Sequence, residues 1–224
     1  MTDDPSKRFI DYLDQLHLKT NDDRLVEPKV RSSILTKIDE ACKITSLEYD
    51  DLLQRLDFRP KDLTIEALEA FLAELRAIFW LRDFGFIDIM PLKALKKVPR
   101  PDFYAKYKDK SSTVEVFCLT ETHEQQRDSA LKVYVNFNPG FKESKFERDF
   151  ISKAASKKVQ LDSGQSELKI MLCVINSNPI IRLNTKKEME GYAEYLYKML
   201  NWGKNYHVGL LTGLKDDVIF PALM

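Results

Sequence analysis

The chain's patterning predicts a mixed α/β (α+β) fold, a central sheet flanked by helices with a helical segment ahead of it. Three observations carry that expectation. Residues 1–58 hold no glycine and place apolar side chains at helical spacing. Three short β-rich runs follow between residues 86 and 119, and helix-length and strand-length segments then alternate to the end of the chain.

Each element has its own signal. Phe9, Ile10, Leu13 and Leu16 form one helical stripe, Ile34, Leu35, Ile38 and Cys42 a second, and Leu52, Leu53 and Leu56 a third. Proline disfavours helix in the residue before it, so Asp57-Phe58-Arg59-Pro60 marks a break. The expected division is an N-terminal helical region, 1–58, and an α/β domain, 59–224. That domain opens with a helix from Thr64 to Asp83, stopped by Gly85, with Ile65, Leu68, Leu72, Leu75 and Phe79 facing inward and Glu74 at the edge of the stripe. Strands are expected over 86–90, 102–107 and 113–119; the third is apolar on both parities, as in a strand covered on both faces. A helix over 144–161 follows, opened by Ser144 and Glu147 at capping-box spacing, then a strand over 168–175. Thr185 and Glu188 repeat that spacing before a helix with Met189, Tyr192, Leu196 and Met199 on one face. Short strands over 207–211 and 218–220 close the chain.

Composition narrows the function classes. With 44% apolar residues in 224 the chain can bury a core, and no apolar run approaches the roughly 20 residues that a bilayer helix requires. With the polar start Met1-Thr2-Asp3-Asp4, this predicts a cytoplasmic protein that does not enter membranes. Cys42, Cys118 and Cys173 lack metal-ligand spacing and read as reduced, buried thiols. The formal net charge is zero, which argues against coating nucleic acid by electrostatics alone. The distribution is uneven. Residues 1–58 carry nine basic and thirteen acidic groups, whereas residues 93–110 carry seven basic against two acidic. Lys96, Lys97 and Arg100 in that positive stretch are candidate phosphate contacts, the alternative being an ordinary solvated loop. A Gly-rich phosphate loop and a G-x-S-x-G elbow are both lacking; His17, His123 and His207 are scattered, and only His123 falls near a strand end where substrate could approach. Phe79, Trp80, Phe84, Phe86 and Phe103 read as core rather than as a base-stacking platform.

Two acids stand out. Asp102 opens the second expected strand and Glu115 lies within the third, so a hairpin would present both to one hard cation; Mg²⁺ takes oxygen ligands, including one or two carboxylates. Pro101-Asp102, a short spacer and Glu115-Val116-Phe117 resemble the PD-(D/E)xK (restriction endonuclease-like) nuclease superfamily, with Phe117 where that pattern has lysine. The resemblance covers roughly residues 64 to 213. It implies a core of helix, three-stranded meander, helix and strand, with Mg²⁺ (or Mn²⁺) held by Asp102, Glu115 and the carbonyl of Val116, and with Glu74 assisting from the first core helix. The implied activity is metal-dependent phosphodiester hydrolysis of nucleic acid, DNA foremost, in a chain for which a homodimer is one expected state. Phe117 keeps open a degenerate domain that binds nucleic acid or a protein partner without cutting. A third reading gives the function to the N-terminal helices, with the sheet as scaffold.

If the missing cation is replaced, the helix after the third strand is its expected source. With Phe146 at 0° and about 100° per residue, Phe150, Leu161 and Ala154 fall near 40° to 80°, Lys157 near 20° and Lys158 near 120°. Counting Ile151, Ala155 and Val159 widens the apolar arc to about 220° and puts Lys158 nearest its middle. Lys158 is therefore the first candidate and Lys157 the second, against the alternative that both stems snorkel into water. Phe117 is expected to pack.

Overall fold

The structure, a computed structural model, describes residues 5–95, 98–119, 145–175, 185–212 and 217–223. The fold is mixed α/β, as the patterning predicts. It divides into two compact units, Met1–Ser111 and Ser112–Met224. This boundary differs from the expected break after residue 58. The turn there ends a helix, yet the N-terminal helices share a unit with the helix and strands that follow.

In the first unit, α1 (Pro5–Thr20), a short 3-10 turn (Asp23–Val26), α2 (Pro28–Thr45) and α3 (Tyr49–Arg55) precede α4 (Ile65–Asp83). An aromatic cluster ties them together: Phe9 of α1 lies 5.2 Å from Phe58 and 5.5 Å from Phe71 of α4, ring centre to ring centre, and Tyr12 meets Phe58 edge-on at 5.0 Å. These ring contacts of the half-buried Phe58 hold the expected linker against the core. Thr64 caps α4 by accepting the Ala67 N–H at 3.3 Å, and Gly85, at φ 85°, takes the left-handed conformation that ends it. Helix α4 buries more than one stripe, since Leu68, Phe71, Ala73, Leu75, Ala77, Ile78, Trp80 and Leu81 are all enclosed. Strands β1 (Phe86–Pro91) and β2 (Phe103–Tyr107) pair antiparallel, with a register shift between Ile87 and Met90.

The second unit holds most of β3 (Lys110–Leu119), then α5 (Lys145–Ser163), β4 (Leu168–Ile175), α6 (Lys186–Leu200), β5 (Tyr206–Leu211) and β6 (Val218–Phe220). Strands β3 and β4 pair parallel, as do β4 and β5, while β6 returns antiparallel to β5. Strand β3 is buried on both parities from Ser112 to Phe117, as expected for a covered strand. Phe150, Ala154 and Leu161 of α5 and Met189, Ala193 and Leu196 of α6 share one core with Phe117, Met171, Cys173, Val208 and Leu210, so both helices cover the same sheet face. The predicted capping box of α6 is complete: Thr185 accepts the Glu188 N–H, and the Glu188 carboxylate accepts the Thr185 N–H at 3.0 Å. The Ser144 box lies outside the described residues.

Candidate functional site

Strand alternation puts Thr113, Glu115, Phe117 and Leu119 on the face of β3 that α5 and α6 cover. Three of these serve or tolerate burial without a charge. Phe117 packs its ring 5.6 Å from that of Phe150, so the position that holds lysine in the PD-(D/E)xK pattern is a packing position here, as expected. Glu115 is the exception. It stands opposite Met171 of β4 and has no solvent exposure. An isolated carboxylate in such a place is prohibitively costly, so a cation must come to it.

Lys157 is that cation. Its Nζ donates to Glu115 Oε1 at 2.5 Å, with the lysine side chain 28% exposed. The helix explains the reach: Phe150, Ala154, Lys157 and Leu161 are spaced i, i+4, i+7 and i+11, which is one continuous inward stripe, and Lys157 takes a core position within it. Its four-carbon stem runs beside apolar neighbours while the ammonium meets the acid.

Lys158, the first candidate from the sequence, goes elsewhere. It donates to the Asp162 carboxylate one turn on, and to the Tyr206 hydroxyl at 3.1 Å. The two lysines thus exchange places relative to expectation, because the apolar arc is narrower than the sequence suggests: Val159 is 59% exposed and Ala155 is also outside. With those two removed, the buried arc centres on Phe150, Ala154 and Leu161, and Lys157 falls inside it.

Asp162 is a hub that the sequence reading missed. It accepts from Lys158, from Lys169 of β4 at 2.6 Å and from the Tyr206 hydroxyl of β5. Burial alone would raise its carboxyl pKa, but the hydrogen bonds from Lys158, Lys169 and Tyr206 outweigh that and hold it well below the usual carboxylate range. Lys158 is correspondingly raised, by its hydrogen bond to Asp162 first and to Tyr206 second. The i, i+4 spacing of Lys158 and Asp162 was the legible signal; the contributions of Lys169 and Tyr206 depend on register between two strands and were not.

The remaining candidates fall as follows. Val116 is buried on β3, opposite Leu172. Asp102 belongs to the first unit, half-buried one residue ahead of β2, where its carbonyl accepts the Leu92 N–H at 2.8 Å. Glu74 is half-buried on α4 and is among the acids, after Asp57 and Asp62, that raise the pKa of Arg59. Arg100 is half-buried and its Nη1 donates to the Lys93 carbonyl at 3.4 Å. Lys96, Lys97 and His123 lie outside the described residues. Among the described residues, no three or more His, Cys, Asp or Glu side chains gather as a metal-binding group, and no helix is long and apolar enough to cross a membrane.

Nearby polar groups complete the setting. Lys153, one turn before Lys157, donates to the Cys118 carbonyl at 2.7 Å. The hydroxyl of Thr113, two residues before Glu115 on the same face, is buried without a hydrogen-bond partner among the described residues. Cys173 is fully buried and its thiol is pushed up by that burial, while Cys42 and Cys118 are only half-buried. Trp80, Phe86 and Phe103 are core, as expected, with Phe79 and Phe84 half-buried. His207, also buried, contacts the Pro221 carbonyl through Nδ1 at 2.7 Å.

Comparison with known proteins finds no matching family model, no matching curated protein and no matching solved structure.

Proposed function

We propose that this chain is a metal-dependent phosphodiester hydrolase acting on nucleic acid, DNA foremost, in which Glu115 is the metal-side carboxylate and Lys157 supplies the cation that Phe117 cannot. The observation that carries this reading is the approach of Lys157 Nζ to a fully buried Glu115 from the helix that follows the strands. A lysine there does what the missing one would do, because an ammonium beside the acid can orient water or stabilise charge that develops on a phosphate. Reaching that point from a helix rather than from β3 frees position 117 for core packing.

The donor set suits a hard cation. Glu115 and the Val116 carbonyl are oxygen donors, and Mg²⁺ takes one or two carboxylates while keeping several waters, so a three-acid cluster is not required. Asp102 and Glu74 enter this reading through the resemblance. When bound, Mg²⁺ or Mn²⁺ would supply Lewis acidity and a more acidic water. The chain's own part is to place the Lys157 ammonium and keep bulk water from Glu115. Arg100, with Lys96 and Lys97, is the proposed phosphate-contact stretch, and a cytoplasmic location and a homodimer belong to the same reading.

A second reading has one specific observation in its favour. Glu115 has no exposed surface and its charge is already balanced by Lys157, an arrangement that is complete without metal. On that reading the domain binds nucleic acid or a protein partner without cutting. One experiment separates the two: wild type and Glu115→Gln are incubated with single- and double-stranded DNA in millimolar Mg²⁺ or Mn²⁺, with EDTA as control. Cleavage that requires both metal and Glu115 supports the hydrolase. Retained DNA binding without cleavage supports the degenerate domain.

A further inference from the structure

The pair Glu115–Lys157 and the Asp162 hub both join α5 to the same sheet face, and their axial spacings match. Register across the strands aligns Thr113, Lys169 and Tyr206 in one row, and Glu115, Met171 and Val208 in the next. Those rows are two residues apart, about 6.6 Å along a strand. Lys157 and Asp162 are five residues apart on α5, about 7.5 Å along a helix axis. Besides the Lys153 bond to the Cys118 carbonyl, helix α5 therefore carries two polar attachments separated along its axis by nearly the same distance as the two rows that receive them. Each attachment limits how far a helix slides or rotates, and one near its C-terminal end, in step with the strand rows, limits both at the turn that carries Lys157.

We infer that Asp162 is a positioning residue, which fixes the register of α5 on the sheet through Lys169 and Tyr206 and thereby sets the Lys157 ammonium at Glu115. The chemistry of the hub suits the task. Asp162 takes a donor from β4 and another from β5, so it binds the helix to two strands at once, and Lys158 bonds both Asp162 and the Tyr206 hydroxyl. The ammonium groups of Lys158 and Lys169 also lie 5.0 and 5.1 Å from the Tyr206 ring centre, which restricts the ring from either partner. Asp162 touches neither Glu115 nor any reacting group and acts only through Lys157. The inference rests on the proposed hydrolase reading only where it gives Lys157 work to do there.

The test is a double-mutant cycle read by denaturant unfolding of the full chain, with Lys157→Ala and Asp162→Ala alone and together. Residues that merely stabilise the same domain give additive effects. If Asp162 positions Lys157, loss of Lys157 should shift the unfolding equilibrium constant at least fivefold less in the Asp162→Ala background than in wild type, and Asp162→Asn, which keeps an acceptor, should restore part of the difference. A difference smaller than fivefold overturns the inference. Should Asp162→Ala fail to fold, Tyr206→Phe, which deletes one donor to the hub, replaces it in the same cycle with the same two outcomes. In parallel, where wild type cleaves DNA, Asp162→Ala should lower kcat about tenfold with KM unchanged, and an unchanged kcat counts against the inference. A wild type that does not cleave overturns the hydrolase reading alone, since the stability cycle still decides the role of Asp162.

Discussion

Two carboxylates lie where α5 meets the sheet, and they are held in opposite ways. Glu115 sits in the middle of a strand with no exposed surface and is met by a single lysine that reaches it from α5. Asp162 sits near the rim, its side chain 35% exposed, and collects three donors from three elements. The rim acid is the ordinary solution: its carboxylate is partly exposed, so water screens its bonds and each is worth little alone. The buried acid is the unusual one. Replacing such a pair by well-packed apolar residues is often neutral or stabilising, so stability alone does not call for it. A desolvated charge in a core with a specific partner is found disproportionately at functional sites. That contrast is why the proposed function centres on Glu115 and the proposed support on Asp162.

Removing the partner at the buried end should produce the largest effect. Lys157→Ala leaves a dry carboxylate without its ammonium and should cost about 3–5 kcal/mol of unfolding free energy by urea titration. Glu115→Gln with Lys157→Met, which removes both charges, should recover most of that loss. If Lys157→Ala is no worse than a surface substitution, the pair is not the buried unit described here. The packing role of Phe117 comes next: Phe117→Leu should cost about 1 kcal/mol, and Phe117→Lys should destabilise more without raising any metal-dependent cleavage.

The rim end should respond more weakly, and to acid rather than to loss of packing. The Asp162 pKa is depressed in the folded chain relative to the usual 3.8, so its stabilisation is fully present above that value and is lost as pH falls below it towards the folded-state pKa. Near neutral pH, Asp162→Asn should therefore cost within about 1 kcal/mol, and its stability should fall less steeply than that of wild type below pH 3.8. Equal acid sensitivity of the two proteins would remove Asp162 from the account of acid unfolding. Metal is a separate, graded lever: millimolar Mg²⁺ should raise Tm of wild type by mass action, and Asp102→Asn should abolish that rise while leaving the protein folded.

How much of this was legible in the sequence differs between the same two ends. The strand over 168–175, the capping box at Thr185 and the stop at Gly85 are local signals, and each appears where the sequence puts it. Glu115 was legible too, because an acid in an otherwise apolar strand is conspicuous. The choice between Lys157 and Lys158 was not. It turns on which side of an apolar arc faces solvent, and Val159 and Ala155 contribute hydrophobicity to the sequence pattern without contributing burial. The partners of Asp162 come from strand register, which no stretch of neighbouring residues encodes. The placement of Phe58 in an aromatic core, instead of in a linker, is a tertiary outcome of the same kind.

The central claim is that Lys157, not its neighbour, is the working lysine, and Mg²⁺-dependent cleavage of DNA by wild type, Lys157→Ala and Lys158→Ala tests it most directly. The account predicts metal-dependent cutting by wild type, a loss of about 10²- to 10⁴-fold in Lys157→Ala, and a much smaller loss in Lys158→Ala. Cutting that survives Lys157→Ala, or falls equally in both variants, would contradict it.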